Sequence, residues 1–387
     1  MNWLNQYTKG DKTIWIIVFI LSLVSLLAVY SSTGTLAYKN QEGNTQYYLF
    51  KHFVILLFGI LLMFITHRIP YNYYSRIAQI ALFITIPLLL ITLLTGTNLN
   101  QASRWIALPG TNLTFQTSDF AKLALIMYIA RALARKQENI KDFKSAFLPI
   151  MFPVILVCGL ILPANFSTAA VLFTTSLLLM FIGRVNMKYI GIMIAAGAVC
   201  FTIFLSIAIN FGHSTRVQTW KNRIENFSKK GDSDANYQVD QAQIAIATGG
   251  ITGKGPGHST QRNFLPHPYS DFIYAIIIEE YGLIGGIFMV FLYLMLLGRT
   301  VMIVKKSPKA FAALLAVGCS FSLVFQALIN MAVAVHLFPV TGQTLPLVSM
   351  GGTSLWFTSI AIGILLSVSR NIENEAELEE GGELVAA

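Results

Sequence analysis

Ten stretches of about 20 mostly apolar residues follow one another along the chain, and no other feature narrows the fold as far. In a bilayer every backbone N–H and C=O must be satisfied within the chain, which leaves helices and closed barrels as the spanning structures. The stretches are 13–32, 48–67, 77–95, 118–134, 147–163, 167–183, 187–211, 271–298, 309–337 and 350–369, of which 118–134 is the least apolar. Over the 387 residues, 55% are hydrophobic and only 12% charged, a balance foreign to ordinary soluble domains. The fold class that follows is an all-α polytopic integral membrane protein of about ten transmembrane helices. The first stretch begins directly after Lys12, with no small-residue cleavage site behind it, and reads as a retained anchor.

A net charge of +9 would suit nucleic acid, but the placement of the basic residues argues for a membrane. With the N-terminus in the cytoplasm, sixteen of the 27 Lys and Arg residues fall on the inner side, among them Lys12, Arg68, Arg135, Lys188, Lys306 and Arg370. The short outer loops then keep only Lys39, Lys51 and Arg104, as the positive-inside rule requires. An even number of spans puts both termini in the cytoplasm. The chain reads as one membrane domain, 1–371, with a single large outer loop at about 212–270 between the seventh and eighth spans. Residues 372–387, acidic and without a basic residue, read as a disordered cytoplasmic tail. Cys158, Cys200 and Cys319 lie within spans as small buried residues, and the six histidines form no metal-ligand spacing, so no built-in metal or cofactor is expected.

Topology isolates a few charges near the bilayer, where charge is costly and usually functional: Asp119, Asp271, Glu279 and Glu280. Asp271 closes the large loop and opens the run Phe-Ile-Tyr-Ala-Ile-Ile-Ile, which sets a carboxylate at the outer interface. Its plainest reading is a helix cap. Ahead of it lies the glycine-rich segment Gly249-Gly-Ile-Thr-Gly-Lys-Gly-Pro-Gly-His-Ser-Thr-Gln-Arg262, either an ordinary turn or, with Lys254 and Arg262, a cradle for phosphate oxygens. In the fourth span Gln116-Thr-Ser-Asp119 is followed by Lys122 at i+3, a pairing spacing that serves structure or substrate equally well. Arg104 precedes it on the outer loop. Gln326 and Asn330 form a polar stripe in the ninth span, suited to bonds across helices. The segment behind them, with Pro339, Gly342, Pro346 and Gly351-Gly352, has the look of a re-entrant turn.

Taken in order, these segments resemble the SEDS family (shape, elongation, division and sporulation), which includes FtsW and RodA. The matching motifs are Ser103-Arg-Trp-Ile, Gln116-Thr-Ser-Asp-Phe-Ala-Lys122, Gly249-Gly-Ile-Thr-Gly-Lys-Gly, Leu265-Pro266, Ser270-Asp-Phe-Ile-Tyr-Ala, Glu279-Glu-Tyr-Gly282 and Gly342-Gln-Thr-Leu-Pro-Leu-Val-Ser-Met-Gly-Gly-Thr353. The resemblance implies ten spans and a large outer loop between the seventh and eighth, in agreement with the topology read from charge. It further implies a peptidoglycan glycosyltransferase that polymerises lipid II beside a class B penicillin-binding protein and other division proteins. The family's essential aspartate falls on Asp271, and its acidic–lysine pair on Asp119 and Lys122. Gln343-Thr-Leu-Pro346 and Ile277-Ile-Glu-Glu280 look closer to FtsW than to RodA, hence to the division septum. Several positions depart from the pattern: Ser270-Asp-Phe-Ile-Tyr274 stands for the usual T-D-F-I-F and His267-Pro-Tyr269 for E-A-H, Asp119 stands for the usual Glu, Met350 for a common Tyr, and Asn165 for an outer-face Asp.

Chemistry asks for only one carboxylate here. A pyrophosphate leaves as a stabilised anion, so cations replace the general acid, and what remains is a base for the attacking hydroxyl. On an ideal helix Glu279 lies roughly 12 Å from Asp271, too far for a retaining pair. Asp271 is thus the expected base, with Arg104, Lys122, Lys254 and Arg262 as candidates for the pyrophosphate. A lipid flippase, a non-catalytic division scaffold and a RodA-like elongation polymerase are the competing readings.

Overall fold

The computed structural model describes residues 9–40, 42–95, 97–99, 102–107, 114–211 and 234–386. Helix α1 (Lys12–Ser32) is followed by the short α2 (Gly34–Asn40), then α3 (Thr45–Arg68) and α4 (Tyr71–Thr95). A small antiparallel sheet comes next, of β1 (Thr97–Leu99), β2 (Ala102–Ala107) and β3 (Thr114–Gln116) in that order, an addition to the all-α expectation. The chain continues through α5 (Thr117–Arg135), α6 (Leu148–Ile161), α7 (Phe166–Ile182) and α8 (Met187–Phe211). Helix α9 (Asp234–Gly249) belongs to the large loop, and α10 (Ile273–Lys306), α11 (Ala310–Ala334) and α12 (Thr353–Ala386) complete the bundle. Residues 212–233, the first part of the expected large loop, lie outside the described residues.

Among the described residues, seven helices are long and apolar enough to cross a membrane, and α7 and the first part of α8 are shorter apolar helices. Their outward faces carry large exposed apolar side chains such as Phe19, Phe50, Phe83 and Phe291, a surface that only lipid solvates well. Short side-chain caps start several helices. Asp11 accepts from Thr13 N and Ile14 N, Asn44 from Tyr47 N, and Asn165 from Thr168 N, each worth about 1 kcal/mol. Asn165, where the family has an aspartate, therefore has a structural task that either residue can perform.

Helix α5 is the tenth. It is less apolar than the others because lipid hardly touches it: it packs against α4, α6, α7, α11 and α12, and most of its length is buried. Polar side chains in a span are tolerated where they face the protein interior, which explains the weak apolar signal of 118–134.

At 34 residues α10 would be about 51 Å long, well beyond a hydrocarbon core of about 30 Å. It is broken at Gly282, which has φ 69° and ψ −173°. Every residue from Phe272 to Glu280 is buried, whereas Leu283, Ile284, Ile287, Phe288 and Phe291 are exposed. The lipid-facing span thus starts at the break and runs to Lys306, and the segment before it is folded into the protein. This moves the expected span, 271–298, toward the C-terminus.

Lys9 Nζ lies 2.7 Å from Glu377 Oε2, Gly10 N donates to Glu373 at 2.6 Å, and Lys309 Nζ is 3.4 Å from Glu375 Oε1. Both ends of the described chain therefore meet at one end of the bundle. These partners also hold the start of the acidic segment in helical form, so α12 continues past Arg370 where the sequence reading has a disordered tail. The opposite end, bearing Ser32, Thr45 and Thr117, is the one that the charge pattern assigns outside, and is termed the outer end below.

Candidate active site

Asp271 is not the cap of α10. The cap position is Phe272, without a side-chain bond, and Asp271 sits in the turn before it, half-buried. Its carboxylate accepts from Ser270 Oγ at 2.7 Å. The main chain around it is held at three successive carbonyls. Met350 N donates to Tyr269 O at 2.9 Å, Ser349 Oγ to Ser270 O at 2.6 Å, and Asn330 Nδ2 to Asp271 O at 2.9 Å. Such fixing matters for a base, since misplacement by about 1 Å can cost 100-fold in rate. Burial, then Tyr48 and Asp271 nearby, push the Tyr269 phenol upward, so it remains a neutral hydroxyl beside the carboxylate.

Two of these three ties come from the non-helical stretch between α11 and α12, the re-entrant turn of the sequence reading. Irregular backbone at membrane depth survives only where its polar groups are satisfied by protein or water. Here side chains from three helices do it. Asn330 Nδ2 reaches Gln343 O at 2.7 Å, Gln326 Nε2 reaches Thr344 O at 3.0 Å, the Tyr293 hydroxyl bonds Pro346 O, and Ser25 Oγ reaches Val348 O at 2.8 Å. The polar stripe of Gln326 and Asn330 thus supports this turn.

Asp119 and Lys122 join the same floor. Lys122 Nζ lies 2.8 Å from Asp119 Oδ1 and 2.9 Å from Gln326 Oε1, so the pair is linked through Gln326 to the turn that braces Asp271. Asp119 is 3% exposed, and among the described residues its Oδ2 has no hydrogen-bond partner. Both residues line a cleft between α5, α11 and α12 with Gln326, Ser354 and Thr358. Arg104 lies on β2, ahead of α5, and its side chain is outside the described residues.

Lys254 and Arg262 are engaged by groups of the protein itself. Lys254 Nζ is 2.6 Å from Glu279 Oε1, which also accepts from Thr260 N at 3.1 Å and Thr260 Oγ1 at 2.9 Å, while Ser259 Oγ bonds Oε2. Arg262 Nη1 donates to Ser31 O at 3.0 Å, and Glu280 accepts from the Ser31 hydroxyl. The loop wraps the protein's own carboxylate, because Glu279 is fully buried and brings the charge that the loop's donors meet. Its glycines dock backbone against backbone at the α10 break: Lys254 N and Gly255 N donate to Glu279 O and Glu280 O at 3.0 and 2.9 Å, and Leu283 N to Gly250 O at 2.9 Å. Sequence reasoning missed this. The signal was present in the pairing of a glycine-rich loop with Glu279-Glu-Tyr-Gly282.

Residues 11–374 match the family described as cell cycle protein, that of FtsW, RodA and SpoVE. The chain belongs to this family. It is 31% identical over 373 residues to the probable peptidoglycan glycosyltransferase FtsW of Trichlorobacter lovleyi, with 95% of each chain covered. To the stage V sporulation protein E of Bacillus subtilis it is 30% identical, covering 94% of this chain and 98% of that one. Among solved structures, a chain from a peptidoglycan synthase complex that coordinates polymerization and crosslinking shares the fold, with TM-score 0.70, 24% identity, and 94% and 98% of the two chains covered. The FtsW/RodA/SpoVE family thus accounts for the whole bundle.

Proposed function

We propose that this FtsW/RodA/SpoVE-family protein is a peptidoglycan glycosyltransferase that polymerises lipid II on the outer face of the bacterial cytoplasmic membrane, with Asp271 as general base. The observation that carries the reading is the three-point fixing of the Asp271 main chain at the outer end, above a polar floor that contains the Lys122 cation. Asp271 takes the proton of the acceptor GlcNAc 4-hydroxyl. The oxygen attacks C1 of the donor sugar, the C1–O bond to undecaprenyl pyrophosphate breaks with inversion, and the bond's electron pair leaves with the pyrophosphate. Lys122 and Arg104 are the cations assigned to that leaving group. Lys254 and Arg262 drop out of the role, since Glu279 and the Ser31 carbonyl engage them. Glu279 is likewise no second catalytic carboxylate, its oxygens being taken up by the docked loop.

The FtsW names of the relatives favour septal wall synthesis over elongation, with other division proteins as neighbours. The coupled polymerization and crosslinking of the similar complex favours a class B penicillin-binding protein as partner. Both termini are assigned to the cytoplasm on the charge pattern. The test is purified protein given lipid II in detergent micelles, where no bilayer separates two sides. Glycan chains are the expected product; substrate left intact would favour a flippase.

A further inference from the structure

The Ser25 hydroxyl of α1 and the His52 imidazole of α3 meet inside the bundle at 2.7 Å, and neither takes part in the chemistry above. Both residues are fully buried. Several buried hydroxyls in these helices bond the carbonyl four residues back on their own helix, as Ser32, Thr85 and Ser176 do. Ser25 instead reaches out to Val348 O at 2.8 Å. A hydroxyl has a single proton to give. If that proton goes to Val348, the imidazole must donate its Nε2–H to Oγ and keep a lone pair on Nδ1. Among the described residues the buried His52 Nδ1 has no hydrogen-bond partner, as this tautomer allows. A leucine would fill the same space without an unpaired nitrogen, but it could not orient the serine.

What Ser25 holds is one step from the base. Val348 is followed by Ser349, whose hydroxyl fixes Ser270 O, and by Met350, whose N–H fixes Tyr269 O. We propose that His52 and Ser25 are positioning residues for the Asp271 reaction: His52 aims the Ser25 hydroxyl, Ser25 pins Val348, and the pinned turn keeps Asp271 in place. This rests on the reading of Asp271 as base.

The experiment compares His52→Leu, His52→Gln and Ser25→Ala in purified full-length protein, by polymerisation of lipid II and by amide hydrogen exchange. Glutamine places an amide N–H near the position of Nε2–H, so it can still donate to Ser25, whereas leucine cannot. Ser25→Ala removes one oxygen and leaves the packing nearly whole. His52→Leu and Ser25→Ala are expected to lower kcat about 10-fold or more with KM within about twofold, and His52→Gln to recover most of it. Amides of 345–350 and 270–272 should exchange about 10-fold faster in His52→Leu and Ser25→Ala, and near the wild-type rate in His52→Gln. The exchange arm is independent of what Asp271 does, so failure of the functional reading would leave it standing. Wild-type exchange in both disabling variants, a loss carried by KM alone, or a His52→Gln protein as impaired as His52→Leu would overturn the proposal.

Discussion

Gly253 and Gly282 lie backbone against backbone: a Cβ on Gly253 would come within 2.2 Å of the Glu280 carbonyl oxygen, and one on Gly282 within 2.1 Å of that of Ile251. Both have positive φ, at 82° and 69°. The contact joins the glycine-rich loop to a deliberate break in α10, where each side supplies the bonds that the other lacks. Gly282→Ala is therefore expected to reduce the amount of folded protein in membranes severely, because the carbonyl it meets belongs to backbone and has nowhere to move. Gly257→Ala, also at positive φ but with open space around it, should cost only the strain of about 1–2 kcal/mol. Comparable loss in the two variants, read by size-exclusion profile and thermal unfolding in detergent, would refute the docking account.

Glu279 anchors that loop with a fully buried carboxylate, so its removal strands Lys254 and several hydroxyl and amide donors together. Glu279→Ala should destabilise the protein by about 3 kcal/mol or more. Lys254→Met should cost about 1 kcal/mol, since Ser259 and Thr260 still bind the carboxylate and Lys254 is 28% exposed. Equal thermal shifts for the two would argue that the lysine, not the carboxylate, is the anchor.

For Asp119 and Lys122 a double substitution separates structure from chemistry. Lys122→Met leaves a buried carboxylate without its cation and should cost about 3–5 kcal/mol. Adding Asp119→Asn should restore much of the stability. Polymerisation should remain at least about 10-fold reduced in the double variant if Lys122 also balances the pyrophosphate charge. Activity that returns together with stability would assign the pair to structure alone.

The bundle was legible in the sequence because lipid imposes the same demand on each span, and nearly every expected stretch falls on a helix. The eighth stretch falls on α10, but its first part, Phe-Ile-Tyr-Ala-Ile-Ile-Ile, is as apolar as a lipid-facing run yet is buried by protein. Apolarity reports exclusion from water and does not say what does the excluding. At the site, Asp271, Asp119 and Lys122 stood out as charges at costly depth. For Lys254 and Arg262 the sequence could not show the partner, because a glycine-rich basic loop offers donors to any anion, and only the fold shows that Lys254 meets Glu279. Ser25 and His52 gave no signal, for their meaning depends on a carbonyl that lies 323 residues from Ser25 in sequence.

The central claim is that Asp271 is the base. Asp271→Asn keeps the size of the side chain and can still accept from Ser270 Oγ, so the protein should insert and fold with little change in melting temperature. Purified and given lipid II, it should make glycan at a rate reduced by at least about 100-fold, the lower end of what a general base contributes. A well-folded Asp271→Asn protein that polymerises lipid II at the wild-type rate would contradict the account.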